Sequence, residues 1–357
     1  MLSNSWIRSK WYDTVFILFP PFLCLLLIFM FPALFDNEKE ENVWIWLVLV
    51  VCIDVGHVYS TIYRTYMDKA ALQKNRMLFY GSPVLIYIAG VMLHSIDPLF
   101  FWRAMTYLAM FHFIRQQYGF MRLYSRKEEA PYFSRAIDTI TIYAATLYPL
   151  LYWHLQGKQL FNWFTDDDFL YINSPGIIPF FKIMYGAILL VYVSKEMYLT
   201  YKSRTFNLPK NLLIAGTVIS WYMGIVYFKG DLTFTLLNVV SHGIPYYALV
   251  WAHGNKREKV AEEKPRWMEI VFKPSNILLF LGFLFLLAYV EELLWDGLIW
   301  KEHGAAFPVF HLPNISENKS MLNLLVPMLA LPQLLHYFID GFIWKVKKDK
   351  FGWSKLL

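Results

Sequence analysis

Four of the nine histidines in this chain, His57, His112, His242 and His336, lie inside four different apolar stretches. A neutral imidazole has little reason to sit in hydrocarbon unless it is hydrogen-bonded, handles protons or binds a metal. Their neighbours are polar as well. In DVGH, Asp54 precedes His57 by three residues, and in HYFID, Asp340 follows His336 by four, so each pair shares a helical face. A carboxylate so placed can enter a metal's coordination sphere, or accept the second ring N–H and set the tautomer. In HFIRQQYG, Gln116 lies one turn beyond His112 with Arg115 beside it. Arg115 is a counter-charge for Asp54 or Asp340, or else snorkels to the headgroups. In SHGIPYY, Gly243 and Pro245 interrupt helical hydrogen bonding beside His242.

The elements that must carry these residues follow from composition. The chain has 357 residues, of which 57% are hydrophobic, 19% aromatic and only 17% charged. A soluble domain would carry about a quarter charged residues. Crossing a bilayer takes about 20 apolar residues. Such stretches are read at about 15–35, 43–63, 78–96, 98–120, 136–156, 176–199, 210–228, 232–252, 275–295 and 321–343. Only helices satisfy their own backbone in lipid when the apolar runs are this long and separate. The expectation is an all-α, polytopic bundle of about ten transmembrane helices, forming one transmembrane domain over 1–357. No cleavable leader is expected, because the first apolar run is long and an acidic loop follows it.

Charge orients the bundle. Most of the 33 basic residues cluster after the even-numbered stretches, as at Lys69 to Arg76, Arg122 to Arg135, Lys195 to Lys210 and Lys256 to Lys273, and again at Lys345 to Lys355. The opposite loops are acidic, as in Asp36 to Glu41 and Asp166 to Asp168. Both termini are therefore expected in the cytoplasm. The net charge of +6 is topogenic in this reading, and no nucleic-acid partner is expected. Cys24 and Cys52 fall in apolar runs, with no disulfide framework and no thiolate zinc motif. The triplets Asn314-Ile315-Ser316 and Asn318-Lys319-Ser320 match a glycosylation acceptor.

With that orientation the four histidines converge on one depth, roughly 9–15 Å from the cytoplasmic end of their helices at 1.5 Å per residue. His253 lies at the inner mouth of the eighth stretch, a reserve candidate for a second metal or for proton delivery. His94, His154, His303 and His311 fall at the outer boundary, where interfacial or solvated side chains are expected. Arg103, Glu291 and Glu292 also lie outward and are expected to pair with one another. Imidazoles with one or two carboxylates suit iron, zinc, copper or manganese. An oxygen-using iron centre fits a lipid-facing location, since dioxygen partitions into lipid and the helices would hold an apolar substrate and exclude water.

This layout resembles the Brp/Blh-type membrane β-carotene dioxygenases, in which single intramembrane histidines on separate helices hold one non-haem ferrous ion. The resemblance lies in the placement of His57, His112, His242 and His336, and the DVGH and HYFIDG surroundings are not part of it. It implies Fe(II) as cofactor, dioxygen as co-substrate and a lipid-soluble small molecule such as a carotenoid or isoprenoid, in the bacterial inner membrane. The clustered histidine boxes of membrane desaturases do not occur. Asp54, Arg115, Gln116 and Asp340 are the expected polar support of a metal-dependent oxidoreductase. Two other classes stay open: a haem-binding electron-transfer protein, and a proton- or metal-coupled transporter. A structural membrane protein using its polar residues for interhelical hydrogen bonds is a third.

Overall fold

The computed structural model describes residues 5–35, 42–129, 131–158, 162–260, 265–308, 315 and 318–345, and helix is the only extended regular structure among them. The acidic loop Asp36 to Glu41, His311, Asn314, Ser316 and the basic residues Lys264, Lys347, Lys348, Lys350 and Lys355 lie outside the described residues.

Among the described residues the longer helices are, in chain order, α1 (Lys10–Leu18), α2 (Pro20–Met30), α3 (Val43–Arg64) and α4 (Met77–Ile96). They continue with α5 (Pro98–Tyr124), α6 (Tyr132–Leu155), α7 (Pro175–Ser203) and α8 (Leu208–Trp221). The last three are α9 (Val240–Val260), α10 (Pro274–Trp300) and α11 (Lys319–Ile343). Their ends follow ordinary capping chemistry. Asn42 accepts from Trp44 N at 2.9 Å at the start of α3, Asp97 from Leu99 N at 2.9 Å before α5, and Asn318 from Met321 N at 3.1 Å before α11. Pro20 and Pro21 lack the N–H that would continue α1, and α2 departs from it by 51°.

Among the described residues five helices, α3, α4, α7, α10 and α11, are long and apolar enough to cross a membrane, and the bent pair α1–α2 is a sixth if counted as one span. Helices also occupy the remaining four expected stretches. Those of α5 and α6 are less apolar than the five, since they interleave Thr, Tyr, Trp and His with their apolar residues and carry Arg103, Arg115 and Arg122 on one and Arg135 and Asp138 near the start of the other. On α7 the large apolar side chains point outward, with Phe180, Ile183 and Leu190 each more than 60% exposed. A face of that size is stable only against an apolar medium. The chain is thus built as a helical membrane protein.

The chain divides into two compact units, residues 1–39 with 109–245 and residues 40–108 with 246–357. In the first, α8 packs on α2 and α6, and α6 on α7. A Cβ on Gly216 of α8 would come within 2.7 Å of Pro21, so α8 and α2 approach as closely as glycine permits. This unit also buries an ion network. Lys210 reaches Glu128 at 3.0 Å, Glu196 at 2.8 Å and Asp138 at 3.5 Å, and Lys195 pairs with Glu196 at 2.6 Å and with Asp138.

In the second unit α10 lies along α3, α11 lies along α4, and the C-terminal half of α11 also meets α3. Trp46, Val51, Val55, Ala288 and Phe307 form one apolar cluster there, and Phe79, Ile339 and Ile343 belong to another. Residues 47–55 of α3 run in widened π-helical turns immediately before Gly56 and His57. Such widening is a frequent local feature of functional sites.

Candidate metal centre

His57 and His336 belong to the second unit. Both are 1% exposed, and their rings meet edge to face with centroids 5.0 Å apart. The π-helical stretch shapes the approach to His57. The Gly56 N–H reaches the carbonyls of Val51 and Ile53 and passes over Cys52, whose carbonyl accepts the Tyr247 hydroxyl at 2.6 Å. His57 Nδ1 lies 3.1 Å from the Ile53 carbonyl. A carbonyl only accepts, so Nδ1 carries the proton and Nε2 keeps its lone pair. His336 Nδ1 lies 2.7 Å from Thr61 Oγ1, which is 2.8 Å from the Tyr246 hydroxyl, and that hydroxyl donates to Asp340 Oδ1 at 2.6 Å.

His112 and His242 belong to the first unit. They are buried, and their rings also meet edge to face, at 4.9 Å. Phe113 stacks on the His242 ring at 3.8 Å, and Trp163 meets Phe113 edge on. Pro245 sits inside α9 with no N–H for the carbonyl one turn back. The adjacent His242 carbonyl accepts Gln116 Nε2 at 3.2 Å, which ties α5 to α9 at the level of the two histidines.

Each of the four histidines offers one ring nitrogen, and these four atoms lie within 4.8 Å of one another. Imidazole nitrogens bind a transition-metal ion at about 2.0–2.1 Å, so ligands on opposite sides of one ion stand about 4.2 Å apart. The four histidines are thus a group that could hold a metal ion. An all-imidazole donor set with no thiolate suits a divalent first-row metal and does not by itself choose among them.

Neither carboxylate is part of this group. Asp54 Oδ1 is 3.9 Å from His57 Nδ1, whose proton goes to the Ile53 carbonyl. Asp340 Oδ1 is 3.8 Å from His336 Nδ1 and is engaged by Tyr246. At these distances neither carboxylate accepts a ring N–H directly. The exposed Arg115 donates to the Tyr143 hydroxyl at 2.7 Å and lies over the Tyr118 ring, so its partners here are aromatic. His253 is buried, with the Trp344 ring 6.3 Å away.

Among the outer histidines, His94 departs from the solvated environment expected of it. It is buried, 2.8 Å from Asn323 Oδ1 and edge on to Phe101. His154 Nδ1 donates to the Leu150 carbonyl, and His303 stacks on Trp46 at 3.9 Å. Glu291 accepts from the Tyr59 hydroxyl and from Trp295 Nε1, where pairing with Arg103 was one expectation.

The contacts made by Thr61, Phe113 and Tyr246 are not among those the sequence assigns. A signal was present in the sequence. A polar residue follows each of the four histidines by four positions, at Thr61, Gln116, Tyr246 and Asp340, which stacks it one turn along the same face. Phe113 carries no such mark, since an aromatic in an apolar helix is unremarkable. Comparison with protein-family models, with curated proteins and with solved structures returned no match for this chain.

Proposed function

We propose that this protein is a membrane-embedded, metal-dependent oxidoreductase: a non-haem iron oxygenase acting on a lipid-soluble substrate, with His57, His112, His242 and His336 as the metal ligands. The single observation that carries the reading is the approach of four buried imidazole nitrogens, one from each of four helices, to within 4.8 Å. One histidine from each of four helices, expected at one depth, favours a single non-haem centre over a haem held by opposed histidine pairs. Iron held this way would supply dioxygen binding and one-electron chemistry.

This chain's own residues would hold and shield that chemistry. Ile53 and Thr61 fix the ring orientation of His57 and His336, Phe113 covers one face of His242, and Gln116 pins the backbone beside it. Asp54 and Asp340 act as charge close to the imidazoles. The proposed topology is ten spans with both termini cytoplasmic, and a bacterial inner membrane as its setting. Resemblance in layout to the Brp/Blh-type dioxygenases supports a carotenoid or isoprenoid as substrate, with membrane lipid as the route of entry.

Elemental analysis of the full-length protein purified in detergent tests the proposal. One iron per chain is the expected result, lost when His57 or His336 is changed to alanine and kept in His154→Ala. A wild-type protein that takes up no metal, after anaerobic loading with ferrous iron and desalting, overturns it.

A further inference from the structure

The ring of His336 is held by a chain of three hydrogen bonds whose direction is fixed at its far end. Asp340 Oδ1 accepts from the Tyr246 hydroxyl at 2.6 Å, and that proton is the only one the phenol has to give. Toward Thr61, 2.8 Å away, the Tyr246 oxygen can therefore only accept, which makes Thr61 the donor. Thr61 then has no proton left for His336 Nδ1 at 2.7 Å and must accept from it. Trp344 Nε1, at 3.4 Å, donates to the same Tyr246 oxygen and agrees with this polarity. Thr61, Tyr246 and His336 are each at most 5% exposed, so no bulk water can substitute for a missing partner.

We infer that Asp340, acting through Tyr246 and Thr61, selects the Nδ1–H tautomer of His336 and so presents its Nε2 lone pair for metal binding. Thr61 and Tyr246 are positioning residues of the centre, two hydrogen bonds deep. The inference rests on the four-histidine reading above and adds to it. Asp340 governs the imidazole without touching it, because 3.8 Å separates Asp340 Oδ1 from His336 Nδ1. If the Tyr246 hydroxyl is removed, Thr61 loses its acceptor and can turn its proton onto Nδ1. That change favours the Nε2–H tautomer, which cannot ligate through Nε2.

The test is ferrous-iron affinity, measured anaerobically on the full-length protein by competition with a chromophoric chelator. Thr61→Val and Tyr246→Phe are expected to bind iron about 10–100-fold more weakly than wild type, the usual range for a lost outer partner of a ligand. Thr61→Ser keeps the hydroxyl and is expected to restore wild-type affinity, which a purely steric role for the threonine would not do. Thermal unfolding of the metal-free proteins separates folding from binding, and Tyr246→Phe preserves the test should Thr61→Val not fold. Wild-type affinity in both folded variants overturns the inference while leaving the four-histidine reading standing. Failure of the wild type to bind iron overturns both.

Discussion

The Tyr247 hydroxyl lies 2.2 Å from the place a Cβ on Gly56 would occupy, and it donates to the Cys52 carbonyl at 2.6 Å. The two facts are one device. Widened turns in α3 leave the Cys52 carbonyl outside the helical ladder, Tyr247 satisfies it, and only glycine at position 56 leaves room for the phenol.

Gly56→Ala is therefore expected to displace Tyr247 and strand a buried carbonyl, at a cost of about 1–3 kcal/mol. Thermal unfolding in detergent reads the loss. In a Tyr247→Phe background the same alanine should cost less, because the hydroxyl it collides with is gone. Strict additivity in that double-mutant cycle would contradict the coupling.

The ion network around Lys210 should be indispensable for folding. Lys210 is 1% exposed and sits among Glu128, Asp138 and Glu196. Lys210→Met leaves Asp138 and Glu196 to Lys195 and takes from Glu128 its lysine partner, and breaking a buried pair in this way costs about 3–5 kcal/mol. The expected outcome is a sharp drop in folded yield, read by size-exclusion chromatography of detergent extracts, with much less effect from Lys158→Met. The Lys158–Asp167 pair is exposed at 63% and 48%, and such surface pairs contribute little.

Topology can be checked by single-cysteine labelling in a Cys24→Ser, Cys52→Ala background. Cysteines at Lys74 and Lys127 should react with a membrane-impermeant maleimide only after the membrane is opened. One at Asp167 should react in intact cells. Labelling of Lys127→Cys and Asp167→Cys from the same side would contradict the ten-span arrangement.

Much of this protein is legible one residue at a time. Stretches such as Ile178 to Ser203 are helical and membrane-facing on composition alone, because lipid offers a backbone no hydrogen bonds and Phe180, Ile183 and Leu190 no reason to turn inward. The four histidines stand out by the same logic, as costly groups in apolar helices. Hydropathy is less informative for α5 and α6, where Thr, Tyr, Trp and His dilute the apolar pattern of helices that the fold nevertheless forms.

Tertiary structure alone decided what the polar neighbours do. Periodicity places Asp340 and His336 on one face of α11, yet it carries no information about what an adjacent helix inserts beside them. Thr61 and Tyr246 arrive from α3 and α9, 275 and 90 residues away in sequence from His336, and take the contacts that helical spacing alone would assign to Asp340. Likewise Asp54 shares a face with His57, but the π-helical register of α3 and the Ile53 carbonyl claim the ring proton first. Amino-acid sequence thus determined which side chains are too expensive to be idle in a membrane. Which of them touch depended on the crossing of helices distant in the chain, because hydrogen-bond geometry is set by tenths of an ångström that no one-dimensional pattern encodes.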